Sequence, residues 1–281
     1  MEIHPQQLTV EQYAAIQGSL GAVVERVGQV YWTRGSGCFW RPLLPYEAYS
    51  SAEIRAPRGA WGGFQHVISG EREANSWVSF LMLDGLEEYQ LGRLSHNRRR
   101  LISNAAKQLE VREVRDLHEL QEQGFAAYLS FYQRTNYSYL SSRRRKGNFC
   151  RWAETLLRDP RVMVLGAYGS GGLGAVSVSY WVKETLLYAT YFSHSDSLRQ
   201  GASELMFHTL RLCAARTPGI QQVFVRRYQG GNGMDRYYLT RGAKIVHKPA
   251  RLHLHPALNW VLKHWLPQKH ALLWGAVGTQ A

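Results

Sequence analysis

From Val162 to Leu254 the chain passes through strand-like and helix-like periodicities in an order that fixes an α/β sheet. Val162-Met163-Val164-Leu165 is an apolar strand, Gly169 to Gly172 a hairpin turn, and Ala175 to Val182 a strand of alternating Val and Ser. Lys183-Glu184 turns the chain into a third strand, Leu186 to Phe192. Leu205, Met206, Leu210, Cys213 and Ala214 then recur at helical spacing. Gln222 to Val225 reads as a strand, Met234 to Thr240 as a short helix and Ile245 to Leu254 as a last strand. Two helices precede the sheet: Asp116 to Arg134, with Leu117, Leu120, Phe125, Leu129 and Tyr132 on one face, and a second carrying Phe149, Trp152, Ala153, Leu156 and Leu157 that Pro160 stops. The order is ααβββαβαβ. No repeat of fixed period accompanies it, which sets solenoids aside.

Gly169, Gly171 and Gly174 spell G-x-G-x-x-G after an apolar strand, the spacing of a dinucleotide-binding turn. That turn needs a helix next. Ala175 to Val182 is instead a β-branched run of period two, with no helix N-terminus to receive a pyrophosphate, so the glycines read as a hairpin.

Up to about residue 115 the signals are shorter. Val30-Tyr31-Trp32, Trp61 to Phe64 and Trp77 to Leu81 read as strands or loops, and Ser95 as the N-cap of a basic helix through Arg98, Arg99, Arg100 and Lys107. The charge needs explaining: 34 Lys+Arg against 21 Asp+Glu is a formal +13 over 281 residues. With 45% hydrophobic residues the chain can bury a core, so this is a basic globule rather than a basic tail, and its expected partner carries phosphate. Cys38, Cys150 and Cys213 are widely separated, with no ligand spacing for zinc, and read as reduced thiols. No apolar run is long enough to span a bilayer, and MEIHPQQLTVEQ has neither a basic n-region nor an apolar h-region; a cytoplasmic address is expected. Pro256 to Leu266, with Leu258, Val261, Leu262 and Trp265 on one helical face, has the make-up of a helix that touches lipid, but docking as a C-terminal helix is the commoner fate and is expected.

One segment has the context an anion needs. The third strand leads through Ser193-His194-Ser195-Asp196-Ser197 into Leu198-Arg199-Gln200-Gly201-Ala202-Ser203, where a helix starts. Small residues there let backbone N–H groups approach a phosphate, the helix N-terminus adds partial positive charge and Arg199 a full one.

This order and this segment together resemble the core of the GNAT acyltransferase superfamily, in which three antiparallel strands feed a pyrophosphate-binding loop and helix. Gly201 matches the first glycine of the family loop, Ser203 replaces the second, and Leu198 stands where the family has Gln or Arg. Asn232-Gly233-Met234-Asp235-Arg236-Tyr237-Tyr238-Leu239-Thr240-Arg241-Gly242 resembles the second signature, a tyrosine-bearing helix closed by glycine. Over the whole chain the layout is similar to the FemAB-like branch. The resemblance implies a GNAT-like, mixed but mostly antiparallel sheet flanked by helices, with a divergent N-terminal half over 1–115 and an acyltransferase core over 116–281. It further implies an N-acyltransferase without a metal, moving an acyl group from acyl-CoA to a small-molecule or cell-wall-type amine. In the two alternatives the donor is aminoacyl-tRNA, or the module is inactive and binds nucleic acid or a protein.

Under that resemblance Arg199, Gln200, Gly201, Ala202, Ser203 and Asn232 hold the donor. Tyr238, a phenol protonated at neutral pH, protonates the leaving group, and His194, at the end of the third strand, is the base that accepts the amine's proton, with Asp196 second. His253 and His255 share a strand face but lack a third ligand, so they read as structural. Ser36, in Gly35-Ser36-Gly37, lacks the setting of a hydrolase nucleophile. Arg143 to Lys146 and Arg226-Arg227 are basic runs on the core half, each a candidate for donor phosphates.

Overall fold

The computed structural model describes residues 3–35, 38–50, 54–135 and 141–275; Ser36 lies outside them. The first elements are β1 (Gln7–Leu8), α1 (Val10–Ser19), β2 (Val24–Val27), β3 (Val30–Arg34), β4 (Phe39–Pro42), β5 (Ala48–Tyr49), β6 (Gly63–Ile68) and β7 (Ser76–Leu83). Then come α2 (His96–Ala106), β8 (Glu110–Glu113), α3 (Leu117–Glu119), α4 (Phe125–Arg134) and α5 (Lys146–Arg158). The remainder is β9 (Met163–Gly169), β10 (Gly172–Val182), β11 (Thr185–Ser193), α6 (Ser195–Arg199), α7 (Ala202–Arg216), β12 (Gln222–Arg227), α8 (Gly233–Leu239), β13 (Lys244–Leu254), α9 (Pro256–Trp265) and α10 (Pro267–Trp274). The run expected from residue 116, ααβββαβαβ, is present with one addition, α6, whose five residues are too few to show a period.

Contacts group the chain into two compact units, one of Met1–Thr9 and Asp84–Phe224, the other of Val10–Leu83 and Val225–Ala281. This grouping by contact is a different property from the change of sequence character near residue 115. In the first unit the strand order is β12-β11-β10-β9-β8, antiparallel except for the parallel β11–β12 pair, with β1 parallel to the end of β10. In the second it is β2-β3-β4-β6-β13-β7, with β4 and β5 both parallel to β6. The strand pairing in each unit is thus mixed and mostly antiparallel, as expected.

The alternation of Val and Ser in β10 suggests one polar face, yet Ser177 and Ser179 are as buried as Val176 and Val178. Helices α4, α6 and α7 all pack on this strand, and small serines let them approach. Two irregularities shape the same region. Val178 pairs with Thr190 and Ser179 with Tyr188, which leaves Ala189 of β11 out of the ladder as a β-bulge. On the other side of β10, Gly174 is skipped in the pairing with β9, and a methyl placed on it would stand 1.8 Å from Ser197 Oγ, so only glycine lets α6 lie this close to the sheet.

Each unit buries an imidazole. His66 on β6 is 2% exposed, edge-on to Trp32, and burial with the nearby Arg251 charge lowers its pKa to about 4. His208 on α7 is 2.7 Å from Tyr89 Oη through Nδ1, and burial, then Arg211 and Arg216, lowers its pKa to about 4. An unfolded imidazole titrates near 6.5, so between the two values the unfolded chain binds more protons. Stability is therefore full above pH 6.5 and falls as pH drops toward 4. The expected loss at pH 5 is about 2 kcal/mol per ring, read by urea unfolding at pH 7 and pH 5. His66→Leu should flatten that slope, and an unchanged slope would refute the assignment.

Candidate functional site

The residues singled out above fall in both units. His194, Arg199, Gln200, Gly201, Ala202 and Ser203 belong to the first; Asn232 and Tyr238 belong to the second.

In the first unit β11 ends at Ser193, and His194 caps α6: its Nδ1 accepts the Asp196 N–H at 3.3 Å and lies 3.4 Å from Asp196 Oδ2. As the cap acceptor, Nδ1 carries the lone pair and the neutral ring's proton sits on Nε2. Arg199 pairs with Asp196 at the surface. Gly201 adopts φ 88° before α7 and meets α2, for a methyl built on it would stand 3.0 Å from Ala105 Cβ and 4.0 Å from the Leu101 carbonyl oxygen. Ala202 is fully buried. In the first turn of α7, Glu204 accepts from Arg98 Nη1 of α2 at 2.7 Å, with both side chains largely covered. The partial positive charge of this helix start is therefore met by Glu204, and the approach to Gly201 is taken by α2. Ser95 does precede α2, but its side chain makes no capping hydrogen bond.

Beside this joint the structure adds polar groups that sequence reasoning missed. Arg134, at the end of α4, donates to Ser195 Oγ at 2.9 Å and to the Ser193 carbonyl at 3.1 Å, and Ser130 Oγ accepts the Ser195 N–H at 3.1 Å. The helical run 117–134 has a π-helical turn at Leu120–Gly124, where Gln123 Oε1 accepts the Leu173 N–H at 2.6 Å. Of the basic run before α5, Arg143 stacks on Trp152 and Lys146 pairs with Glu122, whereas Arg144 and Arg145 line an open cleft of about 620 Å³ with Leu129, Ser141 and Ser142.

In the second unit Asn232 is the N-cap of α8, its Oδ1 accepting the Asp235 N–H at 2.9 Å. Asp235 is completely buried, and its Oδ2 accepts from the N–H groups of Gln229 at 2.9 Å and Gly231 at 3.0 Å, with Arg226 Nε 3.7 Å from Oδ1. The Gly-rich loop before α8 is thus wrapped around an internal carboxylate. The spacing Asn232-x-x-Asp235 is the sequence signal that could have found this. Tyr238 is 7% exposed, and burial pushes its phenol up to about 12 against a weaker pull from Arg226. Arg226-Arg227 turns inward: Arg227 donates to Gln65 Oε1 at 2.9 Å, and burial lowers its pKa to about 10. His253 stacks on Phe64, and His255 caps α9 through Nδ1. No cluster of three metal-ligating side chains occurs among the described residues.

No family model and no curated protein matches the sequence. Solved structures do. FemX covers 90% of this chain and 93% of its own at a TM-score of 0.60, with 8% identity. The fold is the GNAT-like fold of FemX. L-PGS from Bacillus licheniformis shares this FemX-like fold at a TM-score of 0.58 and 9% identity, over 95% of this chain and 93% of its own. So does the C-terminal domain (DUF2156) assigned to a lysylphosphatidylglycerol synthetase of Agrobacterium fabrum, at 0.58 and 13% identity over 94% of each chain. The GNAT-like architecture expected from strand order is therefore present in its FemX-like form.

Proposed function

We propose that this chain is an aminoacyl transferase that takes its acyl group from aminoacyl-tRNA and passes it to an amine of a cell-wall-type or other small acceptor. The observation that carries this reading is the covered start of α7. An acyl-CoA donor needs that helix start for its pyrophosphate, and here α2 packs against Gly201 while Glu204 in the first turn pairs with Arg98. Arg199, Gln200, Gly201, Ala202 and Ser203 are then a packing joint with Arg199 at its exposed edge, and acyl-CoA gives way to the alternative donor. The FemX-like fold supports the same choice, since one structure sharing it belongs to an enzyme named for a lysyl-bearing product. The +13 charge, with Arg144 and Arg145 on an open cleft, suits an RNA backbone.

In the reaction the acceptor nitrogen attacks the ester carbonyl of the donor, a C–N bond forms, and the C–O bond to the ribose breaks. One proton leaves the amine and one arrives on the ribose oxygen. Tyr238 supplies the second: a phenol pushed up to about 12 matches an alkoxide leaving group, which is a far stronger base than a thiolate of pKa about 8.5. His194 shapes α6 as its cap, and the amine sheds its proton to water rather than to this ring.

A thermal-shift titration tests the donor. Bulk tRNA is expected to raise the melting temperature with a steep dependence on salt, and acetyl-CoA or a longer acyl-CoA to leave it unmoved. Stabilisation by acyl-CoA alone would overturn the reading.

A further inference from the structure

We infer that the α9–α10 corner of the second unit docks on an anionic membrane surface. Pro256–Leu266 was expected to bury one apolar face against the protein, and it does so only in part. Leu258 and Leu262 are half-buried, whereas Trp260, Val261, Trp265 and Leu266 stay exposed, Trp265 to 74%. On a helix of 3.6 residues per turn Trp260, Val261, His264 and Trp265 share one face, so the exposed residues form a continuous ridge. Trp61, 72% exposed, belongs to the same unit and neighbours Gly62, whose carbonyl accepts the N–H of His255, the cap of α9.

The corner is held rather than loose. Gln65 donates to the Leu273 carbonyl at 2.7 Å, and His270 Nε2 lies 3.0 Å from Asn259 Oδ1 across the α9–α10 bend. A fixed ridge of tryptophans costs little further ordering on binding.

Charge names the occupant. After Asp235 the sequence has no Asp or Glu, while Arg236, Arg241, Lys244, Lys248, Arg251, Lys263 and Lys269 all follow it. Lys263 on α9 and Lys269 on α10 are exposed. Tryptophan sits readily at the headgroup level of a bilayer, and lysine beside it is attracted to anionic lipid. Among the described residues no helix is long and apolar enough to cross a membrane, so the contact is one that lies on the surface. It does not depend on which donor the protein uses.

Vesicles of equal parts phosphatidylglycerol and phosphatidylcholine, compared with pure phosphatidylcholine, test this by co-sedimentation. The full chain should bind the anionic vesicles at low salt and be released as salt rises. Trp260→Ser with Trp265→Ser should weaken binding about 10-fold or more, and Lys263→Gln and Lys269→Gln about fivefold each. Should the double tryptophan variant fail to fold, quenching of wild-type fluorescence by brominated phosphatidylglycerol reads insertion directly and must be seen. Absence of binding or quenching with the wild type, or binding undiminished in the folded tryptophan variant, overturns the proposal. A dimer in gel filtration that Trp265→Ser disperses would also overturn it, by showing that a second copy covers the ridge.

Discussion

Replacing Tyr238 by Phe is expected to slow transfer from aminoacyl-tRNA about 100-fold or more while the protein stays folded. The side chain is buried, so Phe keeps its volume and removes one oxygen. In the reaction that oxygen carries the proton the departing ribose takes up, and the loss belongs in kcat, with KM for the acceptor little changed. Because burial holds the phenol near 12, the wild-type rate should show no alkaline decline from this group up to about pH 10. Steady-state rates of the two proteins across that range decide the matter. Full activity in Tyr238→Phe would leave Tyr238 as a residue that only packs α8.

Replacing Asp235 by Ala should cost about 3–5 kcal/mol of stability. The carboxylate accepts two backbone N–H groups from the loop before α8 and stands beside Arg226, itself mostly covered. Removing it strands both donors and leaves the guanidinium without its counter-charge. Asp235→Asn keeps an acceptor oxygen and should cost less than the alanine. Urea unfolding of the three proteins measures the difference, and a loss below about 1 kcal/mol for the alanine would contradict the account.

Much of the fold is legible in the sequence because its elements carry clear periods. The strands around Val164, Val178 and Leu187 are β-branched or apolar runs, bounded by Gly171 and by Lys183-Glu184, and each lies where those signals put it. The same clarity rejects the G-x-G-x-x-G reading, since Gly169 and Gly172 pair across a hairpin. What escapes the sequence is whatever depends on a distant partner. Gly201-Ala202-Ser203 looks like an open phosphate loop until Ala105, far away in the chain, is found resting on Gly201. Arg226-Arg227 reads as a run open to donor phosphates, but Gln65 and Asp235 draw both side chains inward. His194 looks like a free strand-end base, and only the geometry of α6 commits its Nδ1. The bulge at Ala189 leaves no mark in composition, because it is a property of the register between two strands rather than of either one. The ridge on α9 lies between these cases: its apolar stripe is visible, and how much of it stays outside is not.

The donor is the central claim, and single-turnover transfer tests it most directly. Charged tRNA bearing labelled amino acid, and separately acetyl-CoA and a longer acyl-CoA, are incubated with the full chain and hydroxylamine as a surrogate amine. Loss of label from the RNA and release of free thiol are then followed. The predicted result is loss of label above the protein-free rate, slowed about 100-fold or more in Tyr238→Phe, with no thiol released above background. Thiol released from acyl-CoA while the charged tRNA stays intact would contradict the account.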